Sequence, residues 1–204
     1  MTARAILIAD DHPLFREALK LAIAKTGRSH RTLEAASIQE ALSASQSEGD
    51  LALVLLDLRM PDSQGFSGLA QLHAEHPQTP ILVVTGAVQA NAPALAQQYG
   101  TVGFVSKSEP LEEIAARIDA ALSGHVEKLP TAEVDPVLQD ISARIASLTP
   151  TQLKVLLGVL AGKLNKQIAF EQQIAGTQGQ IDAVRAQIGL TEKDLADITV
   201  LVGK

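Results

Sequence analysis

Four short runs of uninterrupted apolar residues mark the first half of the chain: Ala5–Ala9, Leu51–Leu56, Ile81–Val84 and Val102–Val105. They are continuous rather than alternating, the pattern of strands buried on both faces of a parallel sheet. A weaker run, Arg31–Ala36, reads as an outer strand. Helical patterns lie between them. Leu14, Ala18, Leu21 and Ala22 make one apolar stripe, and Leu111, Ile114, Ala115, Ile118, Ala121 and Leu122 make another at 3-and-4 spacing. Ser37-Ile38-Gln39-Glu40 reads as a capping box that opens a helix. Strand and helix thus alternate five times by residue 123, which predicts a doubly wound α/β domain on a five-stranded parallel sheet.

The pattern then changes. Ser123-Gly124 is a helix stop, and 125–134, with Pro130 among mixed polar residues, reads as a linker. Asp135-Pro136 pairs a cap with a first-turn proline and predicts a linking helix over 136–146. Thr149-Pro150-Thr151-Gln152 is a stronger start, followed by an apolar stripe of Leu153, Leu156, Leu157 and Leu160. Asn165, Thr177…Gln180 and Thr191…Asp194 each open a further short helix, carrying Ile168 and Ala169 in the first case and Leu195, Ile198 and Val202 in the last. The expected organisation is an α/β domain over 1–123, a helix-bearing linker over 124–146 and a small all-α bundle over 147–204.

Composition narrows the chemistry. The chain of 204 residues is 46% hydrophobic but only 2% aromatic, so its core is built from Ala, Leu, Ile and Val. With no cysteine, a disulfide scaffold, thiol catalysis and thiolate-zinc sites are excluded. No apolar run approaches the roughly 18 residues of a membrane span. Met1–Asp11 meets its first acidic pair too early for a signal peptide, so a cytoplasmic protein is expected. The net charge of −6, from 17 basic and 23 acidic residues, opposes broad affinity for nucleic acid.

In an open parallel sheet the residues just past the strand carboxyl ends share one edge, where ligands bind. Here Asp10 and Asp11 follow the first run, Asp57 follows Leu51–Leu56, Thr85 follows Ile81–Val84, and Lys107 follows Val102–Val105. Three crowded carboxylates repel one another, and a hard divalent cation such as Mg²⁺ relieves that repulsion. A carboxylate beside such a metal can attack a phosphoryl donor, with the ammonium and the hydroxyl facing the phosphoryl oxygens. Taken singly, each residue has an ordinary explanation: a strand-end Asp is commonly a solvated turn residue, a Lys a surface charge, and Phe104 a core residue. The convergence at four strand ends carries the argument. His12 reads as a surface residue and not a ligand, and His30, His73, His76 and His125 have no metal or catalytic spacing.

The segments Asp10-Asp11-His12-Pro13-Leu14-Phe15-Arg16, Asp57-Leu58-Arg59-Met60-Pro61-Asp62, Thr85-Gly86 and Phe104-Val105-Ser106-Lys107 resemble a bacterial response-regulator receiver domain of the NarL/FixJ type over about residues 1–123. The resemblance implies that Asp57 accepts a phosphoryl group from a histidine kinase. It also implies that Asp11, Asp57 and the Arg59 backbone carbonyl bind Mg²⁺ directly, with Asp10 acting through water, and that Thr85 and Phe104 form a switch pair. Ser108, where many relatives carry proline after the lysine, is a departure. The same resemblance implies a regulator whose only chemistry is gain and loss of a phosphoryl group, and a homodimer on phosphorylation.

Leu148–Leu156 and Gly162–Ala169 look like the start of a LuxR-type helix-turn-helix domain, with Lys163, Asn165 and Lys166 matching positions near the DNA backbone. Beyond Glu171 the match stops. Where the family has a Thr-Val-Lys run and a nearby His, this chain has Gln178, Gly179, Gln180 and Asp182. Residues 171–204 hold three basic and five acidic groups. Two functions are therefore expected in competition: a phosphorylation-controlled transcription regulator that binds DNA, and a phosphorylation-dependent protein-interaction module whose helices no longer do.

Overall fold

The computed structural model describes residues 4–48, 50–63, 66–86, 93, 96–127 and 136–160. Five parallel strands, β1 (Ala5–Ala9), β2 (Arg31–Ala35), β3 (Leu51–Leu56), β4 (Ile81–Thr85) and β5 (Thr101–Ser106), form one sheet in the order β2-β1-β3-β4-β5. Around it lie α1 (Pro13–Lys25), α2 (Ile38–Glu48), α3 (Ser67–Glu75), a single 3₁₀ turn at Gln97–Tyr99 and α4 (Leu111–Leu122). Two more helices, α5 (Pro136–Ala146) and α6 (Pro150–Leu160), follow. The weak run at 31–36 is the edge strand, paired with β1 from Ala5↔Arg31 to Ala9↔Ala35.

The central strands are apolar without interruption because both of their faces are covered. Ala9, Leu7, Val54 and Leu56 face the side of α2 and α3, and Ile6, Ile8, Leu53, Leu55, Leu82 and Val84 face the side of α1 and α4. Every residue of β1, β3 and β4 is buried.

One expected helix face is corrected. Leu14 is 87% and Leu21 60% exposed, and α1 instead buries Leu19, Ala22 and Ile23 with Phe15 packed beside them. Positions 15, 19, 22 and 23 form an equally regular stripe, and it is the one that meets α4. The capping boxes hold in part. Thr149 and Gln152 bond reciprocally at the start of α6. Ser37 caps the Glu40 amide, but Glu40 reaches back to Ala36 instead of Ser37. The remaining free amides of α2, at Ile38 and Gln39, donate to the two carboxylate oxygens of Asp62, each at 2.9 Å. Gly124, with φ of 80°, ends α4 as expected, while the His125 amide donates back to the Ala120 carbonyl.

Helices α5 and α6 dock on the α2–α3 side of the sheet. Ile141, Ile145, Leu148, Leu153, Val155 and Leu156 are all buried in the same core cluster as Leu69 and Leu72 of α3. The predicted stripe of α6 is thus confirmed at Leu153 and Leu156, with Leu157 partly buried. The helical starts expected at Asn165, Thr177 and Thr191 lie outside the described residues.

Candidate functional site

The strand order reverses between β1 and β3, so α1 and α2 leave on opposite sides and a crevice opens at the carboxyl ends of those two strands. The ladder continues one residue beyond each strand and holds the crevice residues in place. The Asp10 amide donates to Ala35, the Asp57 amide to Ala9 and the Lys107 amide to Thr85. Asp10, Asp57 and Thr85 are each at most 3% exposed. The structure therefore brings together Asp10, Asp57 and Lys107 by contact, with Asp11 alongside.

The Lys107 ammonium lies 2.6 Å from Asp57 Oδ2 and 2.7 Å from Asp10 Oδ2, bridging two buried carboxylates that would otherwise repel. Its Nζ also lies over the ring of Phe15, 5.0 Å from the centroid. Asp57 Oδ1 accepts the Arg59 amide at 3.0 Å, so both of its oxygens are held in a fixed direction. Arg59 itself is exposed. Asp10 Oδ1 accepts the His12 amide at 2.8 Å. The buried Asp11 Oδ1 is met by the His12 ring, and the buried Thr85 hydroxyl has no hydrogen-bond partner among the described residues. Three carboxylates gathered on one edge are the donor chemistry of a hard dication. The ligand atoms of Asp10, Asp11, His12 and Asp57 all lie within 4.8 Å of one another.

His12 lies at the surface, as expected, and its ring also contacts the acids. Its ring is largely exposed, yet Nδ1 sits 2.7 Å from Asp11 Oδ1 and 3.2 Å from Asp10 Oδ1. Nothing in the spacing of histidines showed this, because the approach comes from the backbone turn into α1.

Thr85 and Phe104 share a sheet face. Thr85 pairs with Ser106 and Val83 with Phe104 in the parallel ladder, and side chains two apart on a strand point the same way. Phe104 is partly buried against the α2–α3 core. Its backbone is also clamped: its amide donates to Glu127 Oε2 at 3.3 Å, and Arg117, which is ion-paired with Glu127, donates to its carbonyl. Gly103 makes room for this, since a Cβ there would sit 2.6 Å from that same carboxylate oxygen. The contacts of Phe15, Asp62, Arg117 and Glu127 are not legible in the sequence, although Phe15 and Asp62 stand in the segments quoted above. Each acts on a partner at least ten residues away.

On the same side as Phe104, Tyr99 is buried beneath α5, and the Ser142 hydroxyl donates to the Tyr99 oxygen at 3.2 Å. Burial pushes the Tyr99 phenol pKa up, with the Ser142 contact acting in the other direction. The His73 ring meets Tyr99 edge-on at 6.2 Å, and burial holds the His73 pKa below its ordinary value. Lys154 of α6 pairs with Glu75 of α3 at 3.2 Å. The DNA-backbone candidates Lys163, Asn165 and Lys166 lie outside the described residues. Among the described residues no helix is long and apolar enough to cross a membrane.

Comparison with known proteins agrees with this geometry. Residues 6–119 match the family model for the response regulator receiver domain. The glycerol metabolism activator of Pseudomonas putida is 36% identical over 184 residues, covering 84% of this chain and 82% of its own. The transcriptional regulatory protein FixJ of Bradyrhizobium diazoefficiens is 33% identical over 149 residues, 73% of this chain and 70% of its own. Among solved structures, a LuxR-family two-component response regulator from Aurantimonas is 25% identical, with a TM-score of 0.55, over 63% of this chain and 91% of its own. With its parallel sheet in the order 2-1-3-4-5 and its aspartates at the reversal point, the chain belongs to the response regulator receiver family, in its NarL/FixJ type.

Proposed function

We propose that Asp57 takes a phosphoryl group from a phosphohistidine of a partner kinase and that this controls transcription through the C-terminal helices. The observation that carries the reading is the Lys107 ammonium seated between Asp57 and Asp10 at the sheet's reversal point. An Asp57 carboxylate oxygen attacks phosphorus, the P–N bond breaks, the imidazole leaves with the electron pair and is reprotonated, and an acyl phosphate forms. Asp11, Asp57 and the Arg59 backbone carbonyl, with Asp10 acting through water, would hold Mg²⁺, which would supply positive charge for the phosphoryl oxygens. Lys107 exchanges its carboxylate partners for a phosphoryl oxygen. The Thr85 hydroxyl, buried and without a partner among the described residues, supplies the next donor. As Thr85 moves toward the phosphoryl group, Phe104 fills the space on the same sheet face. That face also holds α5 and α6, so their docking is the element the switch biases.

Acetyl phosphate with Mg²⁺ tests the first half of the proposal: labelling that persists in Asp57→Asn overturns the acceptor assignment. The second half is tested by DNA binding of the full chain with and without beryllofluoride across a salt series. Salt-sensitive binding that rises with beryllofluoride supports a DNA-binding regulator acting as a dimer. Residues 171–204, with three basic and five acidic groups, favour a second reading in which the helices contact a protein instead. Absence of DNA binding in both states selects that reading.

A further inference from the structure

Strand β5 ends the sheet, so the backbone groups on its outer side have no neighbouring strand to pair with. At Phe104 side chains take both of them. The amide donates to Glu127 Oε2 at 3.3 Å, and the carbonyl accepts from Arg117 of α4, also at 3.3 Å. The same guanidinium nitrogen is ion-paired with the other Glu127 oxygen, which closes a ring of contacts around one residue. Two positions earlier, the Val102 carbonyl accepts the Glu127 amide at 2.8 Å. Gly103, between them, leaves the space that the carboxylate fills.

The residues just before Glu127 bury little. His125 is exposed and Val126 is 60% exposed, so at these two positions the chain is not pinned by apolar burial. Glu127 is therefore where the segment leading toward α5 is fastened to the strand that carries Phe104. We propose that Glu127 is a latch: its carboxylate ties the linker to the Phe104 backbone at rest, and inward movement of Phe104 releases it. That movement turns the Phe104 peptide groups, and a hydrogen bond weakens steeply as it goes out of line. What remains is the Val102 bond and a partly exposed ion pair, which by itself holds weakly. Such coupling is reciprocal, so opening the latch also favours the inward position of Phe104 and with it the phosphorylated site. Glu127 and Arg117 are thus positioning residues for the switch. The inference rests on the proposed phosphoacceptor switch and adds a route to the linker that is separate from the docking of α5 and α6.

Beryllofluoride with Mg²⁺, titrated into the full chain, stands in for the phosphoryl group and reads the reciprocity directly. Saturation is followed by the amide resonances of β4 and β5 in wild type, Glu127→Gln, Arg117→Gln and the double variant. Thermal melting confirms that each is folded. Each single variant is expected to lower the midpoint about fivefold, and the double variant to lower it no further, since both substitutions open one latch. A residue that merely supported the fold would raise the midpoint or leave it alone. In the wild type, beryllofluoride should also speed trypsin cleavage after Lys128, the residue that follows Glu127. Arg117→Gln, which leaves the residues flanking that bond intact, should speed the same cleavage without beryllofluoride. A midpoint unchanged or raised in both single variants, or cleavage after Lys128 indifferent to beryllofluoride, overturns the latch and leaves the phosphoacceptor site standing. Saturation that Asp57→Asn leaves unaltered overturns the site itself, and the latch with it.

Discussion

The two faces of the sheet are covered differently. The face of Ile8, Leu53, Leu55 and Val84 is closed by α1 and α4, and among the described residues the buried core there draws only on residues before Ser123. The face of Leu7, Val54 and Leu56 is closed by α2 and α3 and also takes Ile141, Ile145, Leu153 and Leu156 from beyond the linker. The first face holds the sheet together. The second carries Thr85, Phe104 and the docking surface of α5 and α6, so the rearrangement proposed at Asp57 would reach the C-terminal helices without crossing the sheet. Among the described residues the contacts that join this cover are ones that can exchange, as the proposed switch requires: one phenol–hydroxyl bond, one partly exposed ion pair and an apolar seam.

The contrast can be broken at several strengths. The largest effect is expected from Asp57→Asn, which reduces radiolabel uptake from acetyl phosphate to background and also removes any response of α5 and α6 to beryllofluoride, read by trypsin cleavage at Arg144 and Lys154. If cleavage in that variant still responds to beryllofluoride, the two halves of the mechanism are unconnected. Next, Leu55→Ala on the first face should cost about 2–5 kcal/mol of global stability, measured by urea unfolding, because it opens a cavity with no mobile cover to collapse into it. Before global unfolding it should leave tryptic sensitivity of α5 and α6 unchanged. Ile145→Ala on the second face should cost less, about 2 kcal/mol, and should raise tryptic cleavage in native conditions, since a docked helix can lift away where a strand cannot.

Smaller effects sharpen the comparison. Tyr99→Phe removes the acceptor for Ser142 and should weaken docking by about 1 kcal/mol while leaving phosphoryl uptake unchanged. The smallest effect is on pH dependence. Burial lowers the pKa of both His73 and His76 from the ordinary 6.5, with Glu75 partly opposing the shift at His76. The unfolded chain then binds more protons than the folded one just below pH 6.5, so stability is complete above that value and declines as pH falls through it. Melting temperatures between about pH 7.5 and 5.5 should fall, and His73→Gln should flatten the slope. Glu34 and Glu112, whose carboxyls are held low by Lys20 and Lys25 respectively, contribute only below their ordinary 4.5 and leave this window clear.

Much of the site was legible because its chemistry sits at a topologically defined place. Once Ala5–Ala9 and Leu51–Leu56 are read as parallel strands, Asp10, Asp11 and Asp57 must emerge on one edge, and Thr85 and Lys107 follow by the same rule. Helix α1 shows the limit. Two stripes of similar apolarity run along it, and periodicity alone chose the one through Leu14 and Leu21, which the structure leaves in water. Only the position of α4 distinguishes them. Asp62 was quoted as part of a motif, but its bonds to the amides of Ile38 and Gln39 join positions 24 and 23 residues apart, a separation no local pattern encodes.

The sequence by itself determined the strand runs, the carboxylates at their ends, the helix starts at Pro136 and Pro150 and the acidic balance of residues 171–204, because each depends on side-chain chemistry or on periods of a few residues. Tertiary structure alone decided which face of α1 is buried, that Lys107 bridges Asp10 and Asp57, that His12 turns onto the acids, and that α5 and α6 share a core with α3. Those outcomes depend on which distant surfaces meet, and burial is a property of the meeting rather than of either partner.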